Sequence, residues 1–321
     1  IRLIQKSEEL PEMVCDNFFH STDFFLIAEK TPGYAPLMAV AEDGNGEVHA
    51  HLLALICRHG RLFPPYLYTH GRVYGEGEYA PGEDRELLFS MMLKAVTQKF
   101  NHKLCLYIEF SDISNKMFAY RHFRQNGYFP IPWQEIHNSL HSLPPEKRIS
   151  EKALSKIETA EKHGVYTREA ESEEELGAFY KLLRSYFRFK TRRSIPHRKM
   201  FSMLNSEGDS KTFVTIYKNK IIGGCVCLYS GKNAYMWYLA SKRKTYIHLS
   251  PASITVWAAI KYAYTHGYEH IYFLDAGLPF RNNPFREFIL SFGGKPVSKY
   301  RWFRLPVPYI NRFLSWCYND K

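Results

Sequence analysis

The chain has 321 residues, 45% of them hydrophobic and 23% charged, with 23 Tyr and 23 Phe; this excludes a disordered chain and suits two domains or one large one. No apolar run approaches the ~18 residues of a membrane helix, and Ile1-Arg2-Leu3-Ile4-Gln5-Lys6 lacks the apolar stretch of a secretory leader, so a cytoplasmic protein with no integral membrane segment is expected. The net charge of +11 is uneven, −4 over residues 1–145 and +15 over residues 146–321, which points the second half toward an anionic partner.

The first half opens with loops and short strands. Residues 36–41 read as a strand, Asp43-Gly44-Asn45-Gly46 as a hairpin turn whose Gly and Asn tolerate positive φ, and residues 47–57 as the return strand. A Gly/Pro-rich stretch holding Pro64, Pro65, Gly71, Gly75, Gly77, Pro81 and Gly82 reads as a loop. Leu87, Leu88, Met91, Met92, Ala95 and Val96 recur at helical spacing over 83–100. A strand at 103–110, a helix at 115–125 stopped by Asn126-Gly127, and a strand near 135–140 follow.

The second half repeats this order. Helices are expected at 150–163, at 172–189 with an apolar stripe of Leu176, Phe179, Tyr180, Leu183 and Phe187, and at 196–204. Strands 212–217 and 221–229 flank a turn at Lys218-Asn219-Lys220, and a third strand spans 234–240. After the basic loop 241–248 comes a helix over 250–266, with Ser250 a fitting N-cap and Pro251 a fitting first residue. A strand at 270–275, a helix at 283–292 and a strand at 295–305 close the chain. Leu106-Tyr-Ile-Glu-Phe110 matches Ile271-Tyr-Phe-Leu-Asp275, and Phe118…Gly127 matches Phe285…Gly294, so two copies of one α/β module are expected, over 1–145 and 146–321.

Six scattered cysteines include Cys225 and Cys227, which share one face of a strand; their spacing is wrong for a zinc knuckle or redox pair, and buried reduced thiols are expected. The fourteen histidines form no His-x-x-x-His helix pair, so no metal site is expected.

A hairpin sheet followed by a helix crossing to a parallel strand is the order of the GNAT N-acyltransferase fold. The second half resembles FemAB-type and related double-GNAT acyltransferases. The resemblance rests on the polar helix before Gly164-Val165, Ile221-Ile-Gly-Gly224, residues 234–241 (AYMWYLAS), Ser250-Pro251 opening a helix with Trp257, His266-Gly267-Tyr268, Phe273-Leu-Asp-Ala-Gly277, and Phe288…Phe292-Gly293. It covers about 150 residues, with a weaker echo in the first half. It implies two tandem GNAT-like modules with mixed, mostly antiparallel sheets flanked by helices. It also implies acyl or aminoacyl transfer from acyl-CoA or aminoacyl-tRNA to an amine, on an anionic small molecule or cell-envelope precursor, with tRNA a possible partner. A silent member of the fold that binds a phosphorylated glycan or RNA is the alternative. Two positions depart from the family. Residues 241–250 hold no glycine, where acetyl-CoA enzymes usually carry a Gly-rich loop, and Ile289 stands where FemAB-type chains commonly have Lys.

In such folds the third and fourth strands splay apart, and the freed backbone can hold an acyl donor whose phosphates sit at the next helix N-terminus. Trp237, Lys242, Arg243, Lys244, His248 and Ser250 are the expected donor-binding residues. Asp275, at the end of an apolar strand, can accept the amine's proton, and Tyr238 can protonate the leaving group. Arg192, Arg193, Arg281, Asn283 and Arg286 are expected to bind the acceptor, since Arg forks match phosphate and carboxylate. Glu109 stands where the second module has Leu274, and Glu76, Glu78, Glu83 and Asp84 replace the basic loop, so the chemistry is expected in the second module alone.

Overall fold

The computed structural model describes residues 1–61, 66–187, 194–206, 209–279 and 282–319, with the side chains of Arg61, Tyr66, Asp275 and Asn319 outside the described set. The chain divides into two compact units, residues 1–133 with 298–321, and residues 134–297. Both are α/β, with mostly antiparallel sheets flanked by helices.

The strands of the first half are β1 (Arg2–Ile4), β2 (Tyr34–Glu42), β3 (Val48–Arg61), β4 (Tyr66–Tyr74), β5 (Glu78–Tyr79), β6 (Ile108–Ser111) and β7 (Phe129–Ser139); its helices are α1 (Thr22–Glu29), α2 (Arg85–His102) and α3 (Tyr120–Gln125). The second half adds α4 (Glu151–Lys162), β8 (Tyr166–Glu169), α5 (Glu173–Phe187), α6 (Arg198–Ser206), β9 (Ser210–Tyr217), β10 (Lys220–Ser230), β11 (Asn233–Ser241), α7 (Pro251–Thr265), β12 (His270–Gly277), α8 (Pro284–Leu290), β13 (Lys295–Arg304) and α9 (Pro308–Asn319).

The expected repeat is visible in the topology. The first unit's sheet runs β1-β2-β3-β4-β6-β13, and the second unit's runs β8-β9-β10-β11-β12-β7. In each, a hairpin leads to a third strand, a helix crosses over, and the next strand pairs parallel to the third: β4 with β6, and β11 with β12. The strand closing each sheet comes from the other half of the sequence: residues 298–304 of β13 in the first unit, residues 134–139 of β7 in the second.

Local chemistry explains most elements. Asp43 Oδ1 accepts from the N–H groups of Asn45 and Glu47, both at 2.9 Å, which folds the β2–β3 turn. Lys218 and Asn219 both take positive φ, 47° and 58°, in the two-residue β9–β10 turn, the conformation whose twist matches flanking strands. The Gly/Pro-rich stretch expected as a loop contains β4 instead. Its Gly71 sits within a strand because the Phe100 ring lies flat on it; a Cβ there would come within 2.8 Å of ring carbons, so the residue marks close packing rather than a turn. Helices α1 and α9 and the strand β8 were not expected, and β6 is shorter than the apolar run 103–110.

The first unit's core gathers Phe89, Val96, Phe100, Phe110, Phe123 and Trp302, with Trp302 stacked on Phe123 at a centroid distance of 4.5 Å. The second unit's core gathers Ile222, Cys225, Cys227, Met236, Ile254, Ile260, Ile271, Phe273 and Ile289. Cys225 and Cys227 are free, fully buried and 4.0 Å apart at sulfur, as expected of core thiols. Burial raises the Cys225 thiol well above its ordinary pKa, so it stays protonated and inert.

Candidate active site

In the second unit's sheet, pairing stops short at the parallel joint. β11 and β12 pair in parallel from Asn233↔His270 to Met236↔Phe273, and the register ends there. Both strands run on, β11 to Ser241 and β12 to Gly277. On its other side β11 stays with β10 as far as Ser241↔Gly223, with a register shift in which Trp237 and Tyr238 together oppose Val226. This is a β-bulge, a device that bends one strand and re-aims its side chains.

The bulge sets which way the side chains of β11 face. Strict alternation pairs Met236 with Tyr238 on one face. Instead Met236 enters the core shared with α7, while Tyr238 turns to the opposite face, 5.5 Å from the Phe201 ring of α6 and 6.3 Å from Phe187 of α5. Its hydroxyl donates to the Ser194 carbonyl at 3.0 Å. Protonating a leaving group from Tyr238 would require breaking that bond. Trp237 is buried beside it, the two rings 5.0 Å apart.

Two adjacent glycines let helices close on this sheet. A Cβ on Gly224 would sit 2.6 Å from both the Phe179 ring of α5 and the Phe213 carbonyl. A Cβ on Gly223 would sit 3.0 Å from Thr255 Oγ1 and 3.4 Å from the Pro251 carbonyl, the first turn of α7. Thr255 is held there by its own bond to the Pro251 carbonyl, 2.7 Å, and by Thr215 at 2.5 Å. The segment Ile221-Ile-Gly-Gly224 is thus the seat of the α7 N-terminus.

The loop from β11 to α7 leaves from the splayed end. Lys242, Arg243, Lys244 and His248 are all exposed, and none of them has an ion-pair partner among the described residues. Ser250 precedes Pro251 as expected, but its side chain makes no capping bond; its backbone is left-handed, φ 40°. In a loop without glycine, a serine occupies the conformation glycine takes most readily. Its carbonyl accepts from Ser253 N at 2.9 Å.

Beyond the parallel pairing, β12 also departs from β7, with an irregularity between Phe273 and Gly277. Asp275 falls in this irregular stretch, two residues past the last paired residue; its side chain is not described. Asn283 bridges the loop that follows: its Nδ2 donates to the Ala276 carbonyl at 2.7 Å and its Oδ1 accepts from Phe285 N at 3.0 Å, capping α8. Arg286 is largely buried and donates to the Leu278 carbonyl at 3.1 Å. Both side chains therefore hold backbone carbonyls around the end of β12. Arg192, Arg193 and Arg281 lie outside the described residues. Ile289 is fully buried in the second unit's core, so the position where FemAB-type chains carry Lys faces apolar packing here. The bulge and the seat for α7 were missed in the sequence; the Gly-Gly pair was their only visible signal.

Residues 147–282 match the family model of an acetyltransferase (GNAT) domain. No curated protein sequence matches the chain. Among solved structures, FemX superposes with a TM-score of 0.63 at 12% identity, covering 93% of this chain and 94% of its own. L-PGS from Bacillus licheniformis gives a TM-score of 0.59 at 12% identity over 92% and 93% of the two chains. A tandem GNAT protein from the clavulanic acid biosynthesis pathway gives 0.59 at 13% identity over 90% and 89%. At these identities the likeness is one of fold, and it extends over both units.

Proposed function

We propose that this chain, with its match to a GNAT domain over residues 147–282 and its FemX-like fold, is a FemAB-like N-acyltransferase working at the splay of β11 and β12. It moves an acyl or aminoacyl group from CoA or aminoacyl-tRNA to an amine on an anionic acceptor such as a cell-envelope precursor. The observation that carries this reading is the end of pairing at Met236↔Phe273 while both strands continue. Two strand edges in an otherwise continuous sheet must find other hydrogen-bond partners, and an amide-bearing donor arm supplies them.

The donor's phosphates lie against Lys242, Arg243 and Lys244 at the start of α7, where free N–H groups and the helix dipole also favour negative charge. The acceptor amine attacks the acyl carbonyl directly, and the tetrahedral adduct collapses by breaking the C–S or C–O bond to the donor, so that CoA leaves as a thiolate or tRNA leaves as its ribose oxygen and takes up a proton. The amine's proton passes to Asp275, and N–H groups of β11 beyond the bulge steady the oxyanion. Holding both substrates in one cleft supplies the remaining advantage through orientation. The +15 charge of residues 146–321 favours a large polyanionic donor such as tRNA. A solved neighbour described as the C-terminal domain of a putative lysylphosphatidylglycerol synthetase, with a TM-score of 0.57 at 11% identity, supports an aminoacyl group joined to an anionic acceptor.

The buried Ile289 favours a second reading, a catalytically silent module that binds a phosphorylated glycan or RNA. A thermal-shift panel of CoA thioesters, charged and uncharged tRNA, and nucleotide-sugar precursors separates the two. A shift by a thioester or by charged tRNA beyond that of uncharged tRNA, with acyl product by mass spectrometry, supports transfer. Shifts by polyanions regardless of acyl group, with no product, support the silent module.

A further inference from the structure

In the first unit, three potential metal ligands from three separate segments converge. Cys15 lies between the short helical turns Ser7–Glu9 and Phe18–His20, His51 lies in β3, and Glu78 lies in β5 directly across from His51 in the register. Gly77, with φ +90°, makes that approach possible, since a Cβ there would sit 2.6 Å from the His51 carbonyl. His51 Nε2 lies 3.1 Å from Glu78 Oε2 and 3.8 Å from Cys15 Sγ, and all three ligand atoms lie within 4.8 Å of one another.

The same ring nitrogen faces both the thiol and the carboxylate. One N–H can serve only one of them well, whereas one lone pair can join both in binding a common cation. The edges fit such a centre. With metal–sulfur near 2.3 Å and metal–nitrogen or –oxygen near 2.0–2.1 Å, these separations correspond to ligand–metal–ligand angles of about 120° and about 100°, bracketing the tetrahedral value. The outer contacts are also those of a metal site. Glu78 Oε1 accepts from the N–H groups of Asp16 at 2.7 Å and Asn17 at 3.0 Å, which fixes Oε2 toward His51 and ties the carboxylate to the segment bearing Cys15. His51 is buried, and Cys15 and Glu78 are partly exposed, so the site is sheltered yet open on one side.

We propose that Cys15, His51 and Glu78 form a binding site for a single zinc-class divalent cation in the first unit, with a fourth position left for water. A thiolate and a carboxylate neutralise the two charges of the ion, and a thiolate with an imidazole selects zinc or cobalt over magnesium or calcium. Loading releases protons from the thiol and from any protonated imidazole. The site is independent of the acyl-transfer reading, because it belongs to the other unit and uses none of its residues.

The test is titration of the chelator-treated full chain with Co2+, read by the thiolate-to-cobalt absorption band and by d–d bands of tetrahedral intensity. One equivalent is expected to give both. Cys15→Ser is expected to abolish the thiolate band, and His51→Gln to weaken binding at least about tenfold. His137→Gln, in the second unit, is expected to change neither. Zn2+ should displace the cobalt and raise the melting temperature of the wild-type chain but not of Cys15→Ser. The absence of a thiolate band with wild-type protein, or a band that persists in Cys15→Ser, overturns the assignment and leaves a hydrogen-bonded cluster only. Because Cys15 is partly exposed and serine nearly isosteric, Cys15→Ser is expected to fold; a native circular dichroism spectrum checks this.

Discussion

The two units share one topology and differ at one joint. In the second, the parallel pairing ends at Phe273 while both strands run on. In the first, pairing passes the matching residue Ile108 and continues through Glu109, Phe110 and Ser111, with Gly75 N donating to the Ser111 carbonyl at 2.7 Å. Ion pairs accompany the ladder at the first joint. Glu109 faces Arg72 at 3.6 Å and Arg301 at 3.4 Å, and Lys299 meets Asp112 at 3.1 Å. Leu274 occupies the place of Glu109 in the second unit, without a carboxylate to bind the neighbouring strands together. The same fold thus carries an ionic clamp across the joint in one copy and a bulge beside it in the other. The loops diverge in step: Glu76 of the first unit is bound by Arg85 and by Ser114 at 2.9 Å, whereas Lys242, Arg243 and Lys244 of the second stand exposed.

The comparison breaks most sharply at Asp275. Asp275→Asn is expected to lower acyl transfer at least about 100-fold with donor binding retained, measured by initial rates and by thermal shift with donor; an unchanged rate removes Asp275 as the base. Next is the clamp. Glu109→Gln leaves two largely buried guanidiniums without their carboxylate and is expected to cost about 3 kcal/mol in denaturant unfolding, while Leu274→Ala in the open joint leaves no charge stranded. A loss below about 1 kcal/mol for Glu109→Gln would mean the backbone ladder alone closes the first joint.

Acid should act on the first unit. Burial, with Arg72 and His59 adding to it, lowers the pKa of His70 to about 3. The folded ring therefore stays neutral, while the unfolded chain takes up a proton below its ordinary pKa of about 6.5. The stabilising contribution is fully present above pH 6.5 and is lost as pH falls toward 3. From pH 7.5 to 5 the loss from this group is expected to reach about 2 kcal/mol, and His70→Phe should flatten the profile by that amount. The smallest effect is expected at Ser250. Ser250→Gly relieves a left-handed backbone and should raise stability by about 1 kcal/mol, unless added flexibility of the unfolded chain offsets it.

The repeat was legible because crossover helices and parallel strands leave strong apolar periodicities, as in 83–100 and 271–275. β4 was hidden because Gly71 reads as a breaker until Phe100 is seen lying on it. The bulge at Trp237 was hidden for a different reason: it is a mismatch of register with β10, a property of two strands that neither displays alone. Helix α9 lacks acidic residues in its first turn and leaves Tyr309, Phe313 and Trp316 exposed, so its pattern does not mark an inward face. Among the candidate site residues, the exposed cations of 242–244 were readable from charge, whereas the roles of Asn283 and Arg286 around the end of β12 depend on carbonyls seven and eight residues away.

Residues 134–297 interrupt the first unit rather than follow it. On the ribosome, the inserted unit is therefore complete while its host still waits for Trp302, the fully buried ring its core closes around. A premature stop at codon 298 would spare the inserted unit and strand its host half-built.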